Sequence, residues 1–151
     1  MHLIFLRHGQ RATKSNDAPL TALGHEQAAA AGGWLLEQGI VPTHVKCTET
    51  PRTQQTAASV LTAMGLTGLT PVIEPGMPVR RTWEARLARW QSELPPDAVL
   101  LAVCHGVTQD YAQGRPGAEP IPKKHRCGMF VLQQIAGEWR VVRTWPGMAG
   151  D

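Results

Sequence analysis

The sequence predicts an α/β fold: a three-layer sandwich with a mostly parallel central sheet, helices on both faces and a C-terminal hairpin. Short apolar segments alternate with segments of helical character along most of the chain, an order typical of parallel sheets. The segment 98–104 (AVLLAVC) is apolar throughout, as expected for a central strand buried on both faces. Residues 1–151 contain neither an internal repeat nor a linker, so we expect one domain.

The first strand and the first helix are bounded by recognisable signals. Residues 2–6 (HLIFL) are apolar, and the glycine-containing RHGQR segment that follows ends the strand. Thr21 is a good N-cap, because its hydroxyl oxygen can accept a backbone N–H, and the helix it starts is expected to run to about Gln38. Gly39 then ends this helix.

A second strand and a second helix follow in the same order. Residues 43–47 (THVKC) are the predicted strand. Pro51 occupies the first helical position, where its missing N–H costs nothing, and Gly65 lies beyond the end of the helix. Residues 70–73 predict a third strand, followed by a loop that contains Pro75, Gly76 and Pro78.

The third helix is predicted by a stripe of large apolar side chains on one helical face, made by Trp83, Leu87, Trp90 and Leu94. Pro95 and Pro96 end it. The central strand 98–104 comes next and ends at His105-Gly106, before a short helix to about Gln113.

The C-terminal part predicts a hairpin. A loop rich in Pro and Gly spans 114–128, and the strands 129–135 and 139–144 then flank Ala136-Gly137. We expect the last residues, 146–151, to be frayed.

Composition narrows the class of ligand. The net charge is only +3, and the 15 basic residues form no long run, which argues against nucleic acid as a partner. Arginine's planar fork matches the oxygens of small anions, however. Three cysteines without a C-x-x-C pair suggest reduced thiols, and no segment is apolar enough for a signal peptide or a membrane span. These features predict a soluble, cytoplasmic protein whose oligomeric state the sequence leaves open.

Polar residues that suit an anion follow three of the predicted strands. Arg7, His8, Gly9 and Arg11 follow the first, Arg52 follows the second across a short loop, and His105 and Gly106 follow the central strand. The carboxyl ends of parallel strands meet at one edge of the sheet, where ligands of such folds bind. We therefore expect two histidines and up to three arginines to converge there.

This set suits phosphoryl transfer. Arg7 and Arg52 can hold phosphoryl oxygens by bidentate contacts, and Arg52 also lies at a helix N-terminus, where free amides favour an anion. Neighbouring arginines lower the pKa of His8, which keeps the imidazole neutral for in-line attack on phosphorus. His105 is expected to stabilise the transferring group from the other side, while Gly9 and Gly106 allow close approach of the backbone.

The remaining histidines and the cysteine next to His105 have simpler interpretations. His2, His25 and His44 are expected to be surface residues of strands or helices. Cys104 is expected to point away from His105 into the core, as successive strand residues do, and so to contribute packing rather than a nucleophile.

Four motifs resemble those of the histidine phosphatase superfamily, the phosphoglycerate-mutase-like proteins. In order they are Leu6-Arg7-His8-Gly9, Leu20-Thr21-x-x-Gly24-x-x-Gln27-Ala28, Thr48-x-x-x-Arg52-x-x-Gln55-Thr56-Ala57 and His105-Gly106. The resemblance implies a phosphohistidine intermediate on His8, resolved by water, in a pocket that Arg7, Arg52 and both histidines line, with no metal or organic cofactor. Arg11 is similar to the extra clamp of the acid-phosphatase branch. The chain's length is similar to the short branch that acts on phosphohistidine.

Two departures from the family pattern bear on the mechanism. The family serine before the pocket arginine is replaced by Thr48, a mild change. The acid that protonates the leaving group has no clear match, and the candidates are Glu84, which we favour, Glu74, Asp110 or none. The short branch also lacks this acid, in keeping with a phosphoramidate leaving group.

The sequence therefore predicts a phosphatase acting on a small phosphomonoester or on a phosphohistidine protein. The missing acid motivates an alternative, a catalytically weak module that binds phosphorylated partners or metabolites. A metal-dependent hydrolase is disfavoured because the histidines lack H-x-x-H or H-x-x-x-H spacing. The basic loop 114–126 is either a solvated surface or a binding segment for acidic parts of the substrate.

Overall fold

The structure is a computed structural model, which describes residues 1–77 and 83–150. Pro78, part of the predicted loop after the third strand, lies outside the described residues. The strands are β1 (His2–Arg7), β2 (His44–Cys47), β3 (Val72–Ile73), β4 (Val99–Cys104), β5 (His125–Arg126), β6 (Met129–Ile135), β7 (Glu138–Trp145) and β8 (Met148–Ala149). The helices are α1 (Ala22–Glu37), α2 (Pro51–Met64), α3 (Trp83–Glu93) and α4 (Gly106–Gln113).

Six of the strands form one sheet in the order β3-β2-β4-β1-β6-β7. The four strands β3, β2, β4 and β1 are mutually parallel, while β6 runs antiparallel to β1 and pairs with β7 as a hairpin. The predicted α/β fold, with its mostly parallel sheet and its C-terminal hairpin, is confirmed. The central position of β4 follows from its uninterrupted apolar sequence, because both of its faces are buried.

Alternate residues of the central strands supply two separate cores. Ile4 and Leu6 point to the face that α1 and α2 cover, whereas Leu3 and Phe5 point to the face that α3 covers. On the second face, Trp83, Leu87 and Trp90 pack as the helical stripe predicts, and the rings of Phe5 and Trp83 meet edge to face at 5.0 Å between centroids. This arrangement is the predicted three-layer sandwich.

Helices α1 and α2 pack closely because of a single glycine. A Cβ atom at Gly32 would lie 2.9 Å from the Val60 carbonyl oxygen of α2, so no larger residue fits without backbone movement. The neighbouring Gly33 faces open space, with no atom within 4 Å of a Cβ at that position. The two adjacent glycines thus differ in their structural role.

The prediction that the last residues are frayed is wrong for the segment up to Gly150. Strand β8 pairs with β5 in a small antiparallel sheet, and the carbonyl of Gly150 accepts a hydrogen bond from Gln10 Nε2 at 2.9 Å. A short polar tail lacks an apolar pattern, so the sequence carries no signal for this pairing. No helix in the described part of the chain is long and apolar enough to cross a membrane.

The two glycines of α1 provide a matched pair of substitutions. Gly32→Ala is expected to lower the free energy of unfolding by about 1–3 kcal/mol, because its Cβ collides with backbone. Gly33→Ala is expected to raise it by about 0.5–1 kcal/mol, because alanine loses less conformational entropy in a helix. Urea denaturation of both variants tests the assignment, and equal shifts of the same sign would contradict it.

Candidate active site

The two histidines predicted to converge do meet, because the strands that precede them are neighbours. Arg7 lies opposite Cys104 in the parallel pairing of β1 with β4. His8 continues that pairing through its backbone N–H, which donates to the Cys104 carbonyl at 3.0 Å. The imidazole rings of His8 and His105 lie 5.5 Å apart between centroids, inclined by 64°. The carboxyl ends of the two strands therefore form the floor of the site.

The His8 imidazole is buried and held in one tautomer. Its Nδ1 lies 2.7 Å from the Gly9 carbonyl oxygen, which can only accept, so Nδ1 carries the proton and Nε2 keeps its lone pair. Burial, followed by the charges of Arg52, His105 and Arg7, lowers the pKa of His8 to about 3, against the opposing effect of the Gly9 carbonyl. The ring is neutral at pH 7, as a nitrogen nucleophile requires.

His105 is held between a hydroxyl and a guanidinium. Its Nε2 lies 2.9 Å from Thr48 Oγ1, and its Nδ1 lies 3.2 Å from Nη2 of Arg52. A guanidinium only donates, so Nδ1 accepts and Nε2 donates to Thr48. Burial first and Arg52 second lower the pKa of His105 to about 4, although the carboxylate of Glu49 acts in the opposite direction. His105 is therefore also neutral at pH 7.

Arg52 lies at the second position of α2, as predicted, and points into the site. Its Nη1 donates to the Asn16 carbonyl at 3.1 Å, and its Nη2 contacts His105. Its Nε is buried and has no hydrogen-bond partner among residues 1–77 and 83–150. A buried guanidinium N–H costs free energy unless an acceptor is supplied, which an anion bound here would do.

Arg7 and Gly106 are in direct contact. A Cβ atom at Gly106 would lie 3.4 Å from Cζ of Arg7, an ordinary contact distance, so the guanidinium lies against the start of α4. Nη1 of Arg7 also approaches the Lys123 carbonyl at 3.4 Å.

The loop that carries His8 is fixed by backbone contacts to two helices. The Gly9 N–H donates to Thr56 Oγ1 of α2 at 3.0 Å. A Cβ atom at Gly9 would lie 2.5 Å from the Gly24 carbonyl oxygen in the first turn of α1. The absence of a side chain at Gly9 is therefore required by packing against α1.

Gln27 joins the same loop to the C-terminal tail. Its side chain is fully buried, and its Oε1 accepts the Gln10 N–H at 2.8 Å. Its Nε2 lies 3.4 Å from the carbonyl oxygens of Ala149 and Gly150. Gln10 contacts the tail as well, and its Oε1 accepts from the N-cap hydroxyl of Thr21 at 2.7 Å. One amide side chain therefore holds both the loop and the last strand.

Two cavities adjoin Arg7. The larger, of about 400 Å³, is also lined by His8, Arg11, Lys14 and Arg126 among others. The smaller, of about 300 Å³, is lined by Gly106, Asp110 and Lys123 among others. The basic segment at the end of the 114–126 loop thus reaches the site through Lys123 and Arg126, and Arg11 lies at the larger cavity.

The candidate acids differ in their surroundings. Glu74 is buried and accepts hydrogen bonds from Trp90 Nε1 at 2.6 Å and from Arg89. Burial raises its pKa, but these two hydrogen bonds outweigh burial and the net shift is downward. Glu84 is exposed and accepts a hydrogen bond from the Tyr111 hydroxyl at 2.9 Å. Asp110 lines the smaller cavity beside Arg7.

Cys104 and His25 match their simpler interpretations. Cys104 is fully buried, and burial raises the pKa of its thiol to about 12, so packing is its role. His25 is exposed and bonds Ser59 Oγ at 2.7 Å. Within the described ranges, no group of three or more His, Cys, Asp or Glu side chains is arranged to hold a metal ion.

Sequence reasoning missed several contributors to the site. Asn16 and Lys14 lie in a polar loop without any periodic pattern, and Gln10 and Gln27 are uncharged. The spacing of Gln27 from Thr21 within the second motif was the one available signal for a buried amide.

Comparison with known proteins gives a consistent assignment. The family model of the histidine phosphatase superfamily (branch 1) matches residues 3–78, just over half of the chain. The fold is similar to the protein histidine phosphatase SixA solved with tungstate, with a TM-score of 0.78, 20% identity and coverage of 95% of this chain and 96% of that chain. No curated protein matches this chain in sequence.

Two further solved structures share the fold. The putative phosphohistidine phosphatase SixA from Agrobacterium tumefaciens has a TM-score of 0.72 and 20% identity, over 95% of this chain and 96% of that chain. A mycobacterial glucosyl-3-phosphoglycerate phosphatase in complex with VO3 has a TM-score of 0.71 and 18% identity, over 97% of this chain and 99% of that chain. At such identities the likeness extends to the fold alone.

Substitution of Gln27 tests whether its buried amide holds the loop of His8 and the C-terminal tail together. Gln27→Ala is expected to lower the free energy of unfolding by about 1–3 kcal/mol, because the Gln10 N–H and the tail carbonyls lose their partner. Glu26→Ala, at an exposed position of the same helix, is the control and should change stability little. Urea denaturation of the two variants measures the difference in their free energies of unfolding. Equal values would show that the Gln27 amide does not stabilise the loop and the tail.

The depressed pKa of His8 makes stability depend on pH. Unfolded His8 binds a proton below about pH 6.5, whereas the folded ring does so only near pH 3, so acid favours the unfolded state between these values. Stability should therefore fall as pH falls from 6.5, by up to about 1.4 kcal/mol per pH unit for this group. In His8→Asn this contribution disappears, and the slope between pH 4.5 and 6 should be smaller. Identical slopes would rule out the low pKa.

Proposed function

The chain belongs to the histidine phosphatase superfamily (branch 1), and we propose that it hydrolyses a phosphomonoester or phosphohistidine through a covalent phosphohistidine on His8. The observation that carries this proposal is the state of the His8 ring. Its Nδ1 is fixed on the Gly9 carbonyl, and the ring lies against His105 among Arg7 and Arg52. A neutral nucleophile among buried cations is suited to attack a phosphoryl group.

In the first step, Nε2 of His8 donates its lone pair to phosphorus. The bond from phosphorus to the leaving oxygen or nitrogen breaks, and the leaving group departs with the electron pair. Arg7 and Arg52 hold the phosphoryl oxygens and neutralise their charge, with the buried Nε of Arg52 as one donor. His105 is placed to contact the transferring group from the other side, held by Thr48.

In the second step, water attacks the phosphohistidine. The phosphorus–nitrogen bond breaks, inorganic phosphate leaves and the lone pair returns to His8. Because the first product has left the site, water can approach in line with the bond that breaks. The tautomer set by the Gly9 carbonyl is the same at the beginning and at the end of this cycle.

The leaving group takes up a proton in the first step. Glu74 is a poor donor because its two hydrogen bonds keep it ionised, and Glu84 is exposed and engaged with Tyr111. Asp110, which is also exposed and lines the smaller cavity beside Arg7, stays a third candidate. A phosphohistidine substrate needs less protonation, since its leaving imidazole already carries a proton.

A phosphohistidine protein and a small phosphomonoester both remain within the proposed substrate class. The similar fold of the SixA structures favours a phosphohistidine protein as substrate. The similar fold of the glucosyl-3-phosphoglycerate phosphatase favours a small phosphomonoester. A cytoplasmic location is also part of the proposal, supported by three free, buried cysteines that suit a reducing compartment.

Glu74 and Glu84 both accept hydrogen bonds from other side chains of the protein. This favours a second candidate function, a module that binds phosphorylated partners and turns them over slowly. A phosphatase and a binding module differ in the rate of phosphate release and not in their affinity for a phosphate-like ligand. Calorimetry with vanadate beside a rate assay separates them, because tight binding with negligible phosphate release indicates the binding module.

The mechanism predicts that His8→Ala lowers phosphate release by at least about a thousandfold, because no other group can accept the phosphoryl. We would measure release from an aryl phosphate and from phosphohistidine between pH 4 and 9. His25→Ala, at an exposed histidine, is the matched control and should retain activity. Quenching in alkaline denaturant should trap a phosphorylated wild-type protein whose label is lost on later acid treatment, as phosphohistidine is.

Activity retained by purified His8→Ala would overturn the mechanism. A labelled intermediate that survives acid would do so too, because it would place the phosphoryl on oxygen.

A further inference from the structure

Thr53 is the far end of a chain of hydrogen bonds that begins at His105. Its side chain is fully buried in the first turn of α2, next to Arg52. Its hydroxyl oxygen lies 2.7 Å from Thr48 Oγ1, which in turn lies 2.9 Å from Nε2 of His105. Thr53 can therefore act on His105 through Thr48.

The direction of this chain is fixed at its two ends. At one end, Nη2 of Arg52 lies 3.2 Å from Nδ1 of His105, and a guanidinium can only donate. Nδ1 is then the acceptor, so the proton of the neutral ring is on Nε2 and points at Thr48. At the other end, Thr53 Oγ1 lies 3.0 Å from the carbonyl oxygens of Thr48 and Thr50, which can only accept.

Each hydroxyl between these two ends has one defined role. Thr48 Oγ1 accepts from His105 and donates to Thr53, and Thr53 donates to a backbone carbonyl. The Thr50 hydroxyl lies farther away, 3.1 Å from Thr53 and 3.3 Å from Thr48, so it is the weaker acceptor for the Thr48 proton. Thr48 and Thr53 are both buried, where a polar group keeps the partners that the protein provides.

The fixed direction has a consequence when an anion binds. A phosphoryl oxygen accepts hydrogen bonds, and it is repelled by the lone pair on Nδ1 of His105 once Arg52 turns to the ligand. Thr48 can receive the proton of Nε2 but cannot offer one in its place, because its own proton is directed to Thr53. The ring therefore keeps its tautomer, and Nδ1 becomes a donor only by binding a second proton.

The groups around His105 oppose this second proton until an anion is present. Burial, and after it the positive charge of three arginines, lowers the pKa of His105 to about 4, against the carboxylate of Glu49. The three arginines belong to β1, to the loop after it and to α2, and they are Arg7, Arg11 and Arg52. The ring of His8, 5.5 Å away, is neutral at pH 7. A dianion in the pocket offsets the arginine charge and so favours protonation of His105.

From this chain, and resting on the proposed function, we infer that Thr53 is a positioning residue: through Thr48 it fixes the tautomer of His105, so that the enzyme takes up a proton at Nδ1 as a phosphoryl group binds. The proton comes from solvent, and no covalent bond between heavy atoms forms or breaks. The imidazolium then donates to a phosphoryl oxygen from Nδ1 and to Thr48 from Nε2. Its charge is placed where it stabilises the transferring group.

Calorimetry with tungstate at pH 7 tests this inference without turnover. Tungstate is a dianion at this pH, so a proton taken up on binding goes to the protein, and titrations in two buffers of different ionisation enthalpy count it. We expect about one proton per tungstate in the wild type and less than about half of that in Thr53→Val. In this variant Thr48 is free to donate to Nε2, so the neutral ring can carry its proton on Nδ1 instead.

Three further variants separate this role from a general effect on folding. Thr53→Ser keeps the hydroxyl and should keep the proton uptake of the wild type, whereas Thr53→Ala should repeat the loss if Thr53→Val does not fold. Thr56→Val removes a buried hydroxyl three residues later in α2, whose partners are the Gly9 N–H and the Arg52 carbonyl. It should keep the proton uptake, because these partners are not those of His105.

Nitrogen-15 NMR of wild-type His105 with tungstate checks the same state directly, and both ring nitrogens should carry protons. A ring protonated on one nitrogen only, or equal proton uptake by the wild type and Thr53→Val, would overturn the positioning role of Thr53. Failure of the proposed function gives a different result, since tungstate then binds with a proton while neither a phosphate ester nor phosphohistidine is hydrolysed. Absence of tungstate binding refutes both.

Discussion

The parallel pairing of β1 with β4 is the constraint on which the site depends. It places Arg7 opposite Cys104, and the next residue of each strand is a histidine. The ladder thus brings the two backbones together, and the hydrogen bonds of the two rings then hold them 5.5 Å apart. Helix α2 adds Arg52 to this edge because its first turn starts beside it. The cations and imidazoles are carried by rigid elements, and that rigidity keeps the buried charge of the site in place without a ligand.

Charges and hydrogen bonds around them give the imidazole rings of His8 and His105 different roles in the reaction. The Gly9 carbonyl leaves Nε2 of His8 with a lone pair, whereas Arg52 and Thr48 occupy both nitrogens of His105. When an anion draws Arg52 away from His105, Nδ1 of His105 loses its donor, and it can donate to a phosphoryl oxygen once it takes up a proton. The same guanidinium therefore positions His105 in one state and binds the anion in the other. Thr48 supplies the hydroxyl that accepts from Nε2 of His105 in this arrangement.

Much of this arrangement could be predicted from the sequence, and the exceptions have a physical reason. The strand 98–104, the cap at Thr21, Pro51 at the first position of α2 and the stripe of Trp83 and Trp90 are local patterns, and each became the expected element. The convergence of His8, Arg52 and His105 followed from one rule about parallel sheets. The pairing of β5 with β8, the contact of Asn16 with Arg52 and the buried amide of Gln27 join residues far apart in sequence without a periodic pattern. The choice among Glu74, Glu84 and Asp110 likewise depended on partners that no local pattern shows.

The direction of the central strands also separates the two ends of the chain. The amino group of Met1 donates to the Pro96 carbonyl at 2.7 Å, at the end of the sheet where β1 and β4 begin. Gly150 lies at the other end, hydrogen-bonded to the residue that follows the RHG motif. A tag or fusion partner on the amino end is therefore remote from the nucleophile. A fusion partner that follows Gly150 closely is therefore near the catalytic loop, where its bulk and charge bear on the entrance to the site.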